Sequence, residues 1–177
     1  MKKVLIISAV QAILIGACIY GWTTYLFPPD VVAYEVQVDR PFDIEKAIAN
    51  YAPAVDPFLR SHIAATIQKH AEAQGIDPAL VTAVAARESG FAPMRKSGDD
   101  IGVMQINTRY QATRLEKHGI SLTTLYHIDN NIMLGTEILK ENLDRYGNVR
   151  QALQAYVGQS HKTYVQDVLA IYGEMQM

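Results

Sequence analysis

The chain has 177 residues, about half of them apolar, and a formal net charge of −2. This length suffices for one domain with a substantial core plus an appendage, whereas two full domains would be crowded. Because a slightly acidic chain lacks the basic face that displaces counterions from nucleic acid, we expect no nucleic-acid partner.

The first predicted element is an apolar run from Val4 to Phe27 that contains no charged residue. Its length, about 24 residues, is sufficient to cross a hydrocarbon core of about 30 Å. Lys2 and Lys3 precede the run, and aromatic residues crowd its far end, as in a helix whose N-terminus stays in the cytoplasm. We therefore predict that residues 1–27 are a signal anchor, a transmembrane helix that places the rest of the chain in the periplasm at the inner membrane.

Two alternatives to the anchor remain open. A cleaved signal peptide has the same charged start, although this apolar run is longer than usual and no small-x-small cleavage site closes it. A lipoprotein modified at Cys18 is the second alternative, because "ILIGAC" loosely resembles a lipobox, yet the chain stays apolar well beyond that residue. Cys18 is the single cysteine and cannot form an intramolecular disulfide.

Residues 28–55 are predicted to form a periplasmic linker with one short helix. Pro28 and Pro29 stop the preceding apolar helix. The segment "DIEKAIANY" then carries apolar residues at helical spacing and ends before Pro53. We place the domain boundary near residue 55, so that the domain spans residues 56–177, and the short helix before it either packs on the domain or lies in the linker.

The folded domain is predicted to be mainly α. Its first two helices each begin with an Asp-Pro pair and end at a glycine, which are standard start and stop signals. These signals are Asp56–Pro57 with Gly75, and Asp77–Pro78 with Gly90. Three further amphipathic segments lie at residues 131–147, 148–158 and 160–173. Alternating patterns are almost absent after residue 40, so we expect nearly all helix.

Glu88 is the strongest candidate for a catalytic residue. It follows Val81 and Val84 at i, i+3, i+7, which places its carboxyl on the buried stripe of the predicted helix. Burial disfavours the charged form and raises the pKa toward neutrality, as a general acid requires. A negative charge near the helix C-terminus also opposes the helix dipole. The alternative is that the Glu88 side chain bends into solvent.

The loop "PMRKSGDDIGVMQIN", which ends at Asn107, is the second candidate feature. Its glycines, Gly98 and Gly102, allow tight turns or a close approach of the backbone to a ligand. The side-chain amide of Gln105 has both a donor and an acceptor for sugar hydroxyls or an acetamido group. A glycine-rich turn that only joins two helices is the simpler alternative.

Four segments together resemble the lysozyme-like SLT domain of soluble lytic transglycosylases. They are "ESGF" at 88–91, "DIGVMQIN" at 100–107, "NIMLGTEIL" at 131–139, and "ALQAY" with "YVQDVL" within 152–169. The resemblance covers about residues 56–172, with the motifs in the family's order and spacing. The second segment is most similar to small transglycosylases that accompany type III and type IV secretion, conjugation and pilus machines.

The resemblance implies a lysozyme-like fold and cleavage of the β-1,4 bond between N-acetylmuramic acid and N-acetylglucosamine in peptidoglycan, without metal or cofactor. Glu88 matches the family's catalytic acid, which protonates the glycosidic oxygen. It then accepts the proton of the C6 hydroxyl as a 1,6-anhydro ring closes. The substrate's acetamido oxygen stabilises the cationic centre, so that no second catalytic carboxylate is required.

The same resemblance implies substrate-binding roles for four more residues. Ser89 matches a position that helps hold the acetamido group, and Gln105 one that lines the cleft. Met104 would supply an apolar wall against a sugar face, and Tyr156 matches a tyrosine that orients the catalytic carboxylate. The chain departs from the family just afterwards, because Val157 stands where asparagine is common. A side-chain amide expected next to the substrate is therefore missing.

Two other functions remain open. If Asp99 or Asp100 faced Glu88 at about 6.5–9.5 Å, it could activate water, and the protein would be an inverting lysozyme. The resemblance suggests instead that Asp100 stabilises its loop. A non-catalytic peptidoglycan-binding assembly protein is the other alternative.

The expected partners are peptidoglycan glycan strands, the inner membrane and a secretion, conjugation or pilus apparatus. The five histidines lack metal-ligand spacing, so we expect them at the surface or as caps.

Overall fold

The computed structural model of the protein describes residues 42–158 and 163–176. These ranges are mainly helical, as predicted, with seven α-helices, one short 3-10 helix and three two-residue strands. The α-helices are α1 (Ile44–Tyr51), α2 (Pro57–Gln74), α3 (Pro78–Ser89), α4 (Ala112–Lys117), α5 (Ile128–Tyr146), α6 (Val149–Val157) and α7 (Tyr164–Met175). The predicted membrane span lies outside the described residues. Within them, no helix is both long and apolar enough to cross a membrane.

The capping signals begin and end the helices as predicted. The Asp56 carboxylate accepts hydrogen bonds from two backbone N–H groups in the first turn of α2. Asp77 caps α3 in the same way by accepting from Ala79 N at 2.9 Å. Gly75 and Gly90 end the two helices in the left-handed conformation. As a result, α3 ends at Ser89, one residue after Glu88.

Helix α3 lies at the centre of the core. Every residue from Ala79 to Ala86 is buried, since α1, α2 and α7 all pack around this helix. After this buried stretch, Arg87 and Glu88 in the last turn of α3 are partly exposed. The carboxylate of Glu88 therefore lies at the edge of the apolar core, at the end of the central helix.

Helix α1 belongs to the folded domain rather than to a linker. Ile44 and Ile48 of this helix are buried, the latter completely, and they join the same apolar core as α2 and α3. Of the two positions left open for this short helix, the structure shows the one in which it packs on the domain. The amphipathic spacing predicted this helix correctly but could not show which surface it covers.

A small antiparallel sheet follows α3 and was not predicted. It consists of β1 (Lys96–Ser97), β2 (Asp100–Ile101) and β3 (Ile106–Asn107), in the order β1-β2-β3. Strands of two residues are too short to show an alternating apolar pattern. The register pairs Asp100 with Asn107, so that β3 runs antiparallel beside β2, with β1 on the other side of β2.

Candidate active site

Glu88 lies in the last turn of α3, partly buried, as the spacing of apolar residues predicted. Burial raises the pKa of its carboxyl from the ordinary 4.5 to about 7. The nearby charge of Asp100 also raises it, while a hydrogen bond from Tyr164 lowers it. A carboxyl that titrates near neutrality can both donate and accept a proton at physiological pH, which is the property required of a general acid and base.

The tyrosine that contacts Glu88 is Tyr164 rather than Tyr156. The Tyr164 hydroxyl donates to Glu88 Oε1 at 2.7 Å, whereas the Tyr156 hydroxyl donates to the backbone carbonyl of Met104 at 3.0 Å. Burial and the charge of Glu88 raise the pKa of both phenols, so that both remain protonated donors. Tyr164 therefore makes the direct hydrogen bond to the Glu88 carboxyl, and an orienting role for Tyr156 stays a prediction. Helical periodicity identified Tyr164 only as part of a buried face.

Ser89 connects the end of α3 to the following loop. Its hydroxyl donates to the Val103 carbonyl at 2.7 Å and accepts a hydrogen bond from Ala92 N at 3.2 Å. The residue is buried. Both contacts are internal, so the structure places Ser89 beside Glu88 as a brace for the loop. A contact between Ser89 and an acetamido group stays a prediction.

Met104 lies inside the core and does not form an exposed wall. Its side chain is fully buried. It packs so closely on α5 that a Cβ added to Gly135 would lie 2.6 Å from Met104 Cβ. The predicted contact with a sugar face is therefore not available to this side chain in the structure. Its backbone carbonyl instead anchors Tyr156.

Gln105 braces the loop from a left-handed backbone conformation. Its φ of 46° is unusual for a residue other than glycine. The side-chain amide donates to the carbonyl oxygens of Gly102 at 2.8 Å and Arg95 at 3.3 Å. Left-handed conformations of this kind concentrate at functional sites, where the surrounding structure enforces them. The amide nitrogen is occupied by the loop, and a contact between Gln105 and substrate stays a prediction.

Asn131 is a buried residue of this site that sequence reasoning missed. Its amide oxygen accepts from Met104 N at 2.7 Å, and its amide nitrogen donates to the carbonyls of Ile101 at 2.8 Å and Leu125 at 3.1 Å. The backbone approaches so closely that a Cβ on Gly102 would lie 2.2 Å from the Asn131 amide nitrogen. Asn131 thereby holds the loop across the end of α3. Its position directly before the apolar residues Ile132, Met133 and Leu134 was the available signal.

Asp100 is engaged in stabilising the sheet. Its carboxylate accepts a hydrogen bond from the Asn107 amide at 2.7 Å. The Asn107 oxygen accepts from the backbone N–H groups of Arg109 and Tyr110, both at 3.1 Å, which closes a turn. Asp99 pairs with Arg109 at 2.8 Å. These contacts agree with the loop-stabilising role suggested for Asp100.

Among the residues that the structure describes, no group of three or more histidine, cysteine or acidic side chains has the arrangement of a metal site. Among the histidines in the described ranges, His70 differs from the expectation of surface or capping positions. His70 is buried, and its Nε2 lies 3.0 Å from Asp129 Oδ1, which connects α2 to the first turn of α5. Its role is therefore a contact between helices.

Comparison with known proteins agrees with the geometry around Glu88. Residues 65–164, more than half of the chain, match the family described as "Transglycosylase SLT domain". A protein named "Transglycosylase" from Enterobacteria phage PRD1 is 40% identical over 83 residues. This similarity covers 47% of the present chain but only 29% of the phage protein. The family match extends from α2 to Tyr164 and includes all the contacts described above for Glu88.

Proposed function

Because the chain belongs to the transglycosylase SLT domain family, we propose that it is a lytic transglycosylase of peptidoglycan. Its substrate would be the β-1,4 bond between N-acetylmuramic acid and N-acetylglucosamine. The observation that carries the proposal is the Glu88 carboxyl, which has a pKa of about 7 and accepts a hydrogen bond from Tyr164 at 2.7 Å. Such a group can hold a proton at neutral pH and release it to a glycosidic oxygen.

In the proposed reaction, Glu88 donates its proton to the glycosidic oxygen while the bond from that oxygen to C1 of the muramic acid breaks. The bonding electron pair stays on the departing oxygen, and the substrate's acetamido oxygen stabilises the cationic C1. Glu88 is now a carboxylate, a form that the Tyr164 hydrogen bond stabilises. The carboxylate accepts the C6 hydroxyl proton as the C6 oxygen bonds to C1. The 1,6-anhydro ring closes, no water is consumed, and Glu88 regains its proton.

A hydrolytic lysozyme of the same fold is the second candidate. Asp100 lies close enough to raise the pKa of Glu88, so an acidic group is present near the reacting carboxyl. Asp100 Oδ1 already accepts a hydrogen bond from the Asn107 amide, which favours the loop-stabilising role of Asp100 over activation of water. Hydrolysis would leave reducing muramic acid ends that are heavier than anhydro ends by one water.

Digestion of isolated sacculi by the full-length chain tests this proposal. The proposal predicts soluble muropeptides with 1,6-anhydro ends by mass spectrometry. Glu88→Gln should reduce their release at least about a hundredfold, the lower range for loss of a general acid. Glu72→Gln is the matched control, because Glu72 is an exposed glutamate near the end of α2. Reducing ends would favour the lysozyme, and sacculus binding without any cleavage would favour a wall-binding assembly protein.

We further propose that the apolar N-terminal segment anchors the chain in the inner membrane, with the folded domain in the periplasm. The support is the uncharged run from Val4 to Phe27 with lysines before it. Mass spectrometry of protein purified from membranes tests the anchor. An intact Met1 is the expected result, whereas a lipidated N-terminal Cys18 or a cleaved terminus would contradict it.

The proposed anchor suggests a local role in the cell wall. A glycan-cleaving domain tethered to the membrane can cut only the nearby wall layer, and such cutting would open a passage for a secretion, conjugation or pilus apparatus. Replacing residues 1–27 by a cleavable export signal should preserve sacculus digestion in extracts while reducing assembly of that apparatus. Unchanged assembly with the released domain would contradict the local role.

A further inference from the structure

Arg87 joins the end of α3 to the helix that carries Tyr164. Its Nε donates to Asp167 Oδ2 at 2.9 Å. Its guanidinium carbon lies 5.6 Å from the centroid of the Tyr164 ring, a distance typical of a cation–π contact. Asp167 lies three residues after Tyr164 in α7, so the two side chains are neighbours on one helix face. Asp167 therefore holds the guanidinium over the Tyr164 ring.

Asp167 is itself fixed at the beginning of α7. The Thr163 hydroxyl donates to Asp167 Oδ2 at 3.2 Å, on the same oxygen that Arg87 contacts. The Arg87 and Asp167 side chains are 36% and 40% exposed, and ion pairs this exposed contribute little to the free energy of unfolding. The pair is consequently better suited to controlling geometry than to stabilising the fold.

We propose that the Arg87–Asp167 pair positions Tyr164 and, through its hydroxyl, the Glu88 carboxyl. The Tyr164 hydroxyl reaches Glu88 at 2.7 Å only while the ring keeps its orientation, and the guanidinium covers one side of that ring. Arg87 and Asp167 are thus positioning residues that act through Tyr164. The inference rests on the proposed function, because it concerns the acid that would cleave the glycan.

The sign of the change in the Glu88 pKa separates positioning from a simple charge effect. The groups that act on this carboxyl from the surrounding elements are Tyr164, Tyr156, Asp100, Arg87 and Arg95. Removing the Asp167 charge would leave Arg87 uncompensated, and by charge alone that would lower the pKa of Glu88. Losing the Tyr164 hydrogen bond, which stabilises the carboxylate, raises the pKa instead. Positioning and charge thus predict opposite shifts for Asp167→Asn.

The decisive experiment titrates the Glu88 carboxyl in the full-length chain by NMR of carbon-13-labelled glutamate, with the Glu88→Gln spectrum identifying the signal. We expect Tyr164→Phe to raise the pKa by about one unit, the size of a hydrogen bond to a charged group. Asp167→Asn should raise it by about half as much. Asp144→Asn, which breaks an exposed pair within α5, is the matched control and should change nothing. A fall or no change with Asp167→Asn would overturn the inference.

Combining the variants gives a second test that does not depend on a single substitution. In the Tyr164→Phe background, Asp167→Asn should cause no further rise, because the hydroxyl through which it acts is absent. Asp167→Glu retains the charge and should restore most of the wild-type value. An equal rise in both backgrounds would show that Asp167 acts independently of Tyr164 and would overturn the inference. Circular dichroism verifies that each variant is folded.

Parallel sacculus digestion separates failure of this inference from failure of the proposed function. If the Glu88 pKa responds as expected but wild type releases no muropeptides, the positioning holds and the proposed function is wrong. If wild type cleaves glycan through Glu88 but Asp167→Asn leaves the carboxyl pKa unchanged, the function holds and the positioning is wrong. Asp167→Asn should also shift the alkaline limb of the pH–rate profile, where Glu88 loses the proton that it must donate, in the same direction as the NMR titration.

Discussion

Replacing Gly102 by alanine should release the loop that carries Met104 from its anchor on α5. Gly102 has a φ of +85°, a conformation that strains residues with a side chain. An added Cβ would lie 2.2 Å from the amide nitrogen and 2.5 Å from the Cγ of Asn131. Asn131 is completely buried and makes three hydrogen bonds, so it cannot move aside without breaking some of them.

The magnitude follows from these contacts. Left-handed strain costs about 1 kcal/mol for an ordinary residue. Each buried hydrogen bond that loses its partner costs about 1–3 kcal/mol, so loss of two of the Asn131 bonds costs about 2–6 kcal/mol. Gly102→Ala should therefore reduce the free energy of unfolding by about 3–7 kcal/mol. Gly98 is the matched control, because it has a φ of +61° and nothing within 4 Å of an added Cβ. Gly98→Ala should cost only the strain, about 1 kcal/mol.

Urea denaturation of the full-length chain and both variants measures this difference through the transition midpoint at constant slope. The muropeptide yield from sacculi should fall with Gly102→Ala and stay near wild type with Gly98→Ala. Equal losses of stability in the two variants would show that the Asn131 contact contributes nothing. In that case the proposed anchoring of the loop by Asn131 would be refuted.

Three further predictions follow from burial and close packing. The folded protein retains the Glu88 proton to a higher pH than the unfolded chain, so wild-type stability should fall between pH 4.5 and about 7. Glu88→Gln should abolish this fall, and above neutral pH its free energy of unfolding in urea titrations should exceed that of wild type by up to about 3 kcal/mol. Parallel curves of stability against pH for the two proteins would contradict the burial of Glu88. Gly135→Ala should destabilise the fold by about 1–3 kcal/mol because the new methyl overlaps Met104. Gly173→Ala is the control, because an added Cβ there has nothing within 4 Å, and it should stabilise α7 by up to about 1 kcal/mol. Thermal melts in which Gly135→Ala and Gly173→Ala change stability in the same direction would refute the close packing of Gly135 on Met104. Tyr156→Phe leaves the Met104 carbonyl without its donor and should cost about 1–2 kcal/mol in denaturant titrations, whereas no loss would mean that water replaces the hydroxyl.

The local signals in the sequence predicted most helices because their causes are local. Asp56 and Asp77 cap the helices that follow them, and Gly75 and Gly90 end these helices, through interactions within one or two turns. Helix α4 and the two-residue strands were missed, since such short elements are set by the hydrogen bonds of the surrounding loop. The placement of α1 on the core depends on long-range packing, which a helical pattern does not show.

In the candidate site, too, the local pattern predicted some features, whereas others depend on long-range packing. Glu88 could be identified because the spacing of neighbouring apolar residues showed that its side chain is directed toward the core. The Tyr164 hydroxyl that reaches it lies 76 residues further along the chain. The burial of Met104 against Gly135 and the hydrogen bonds of Asn131 likewise depend on how α5 packs across the loop. The buried position of Glu88 was therefore predictable, but the residues that contact its carboxyl required the structure.

The masses of the muropeptides that the full-length chain releases from sacculi test the proposed chemistry most directly. If Glu88 donates a proton to the glycosidic oxygen and then accepts one from the C6 hydroxyl, wild type should yield anhydro-muramic ends and Glu88→Gln almost none. Products of full hydrolytic mass, or equal yields from wild type and Glu88→Gln, would contradict the role assigned to this carboxyl.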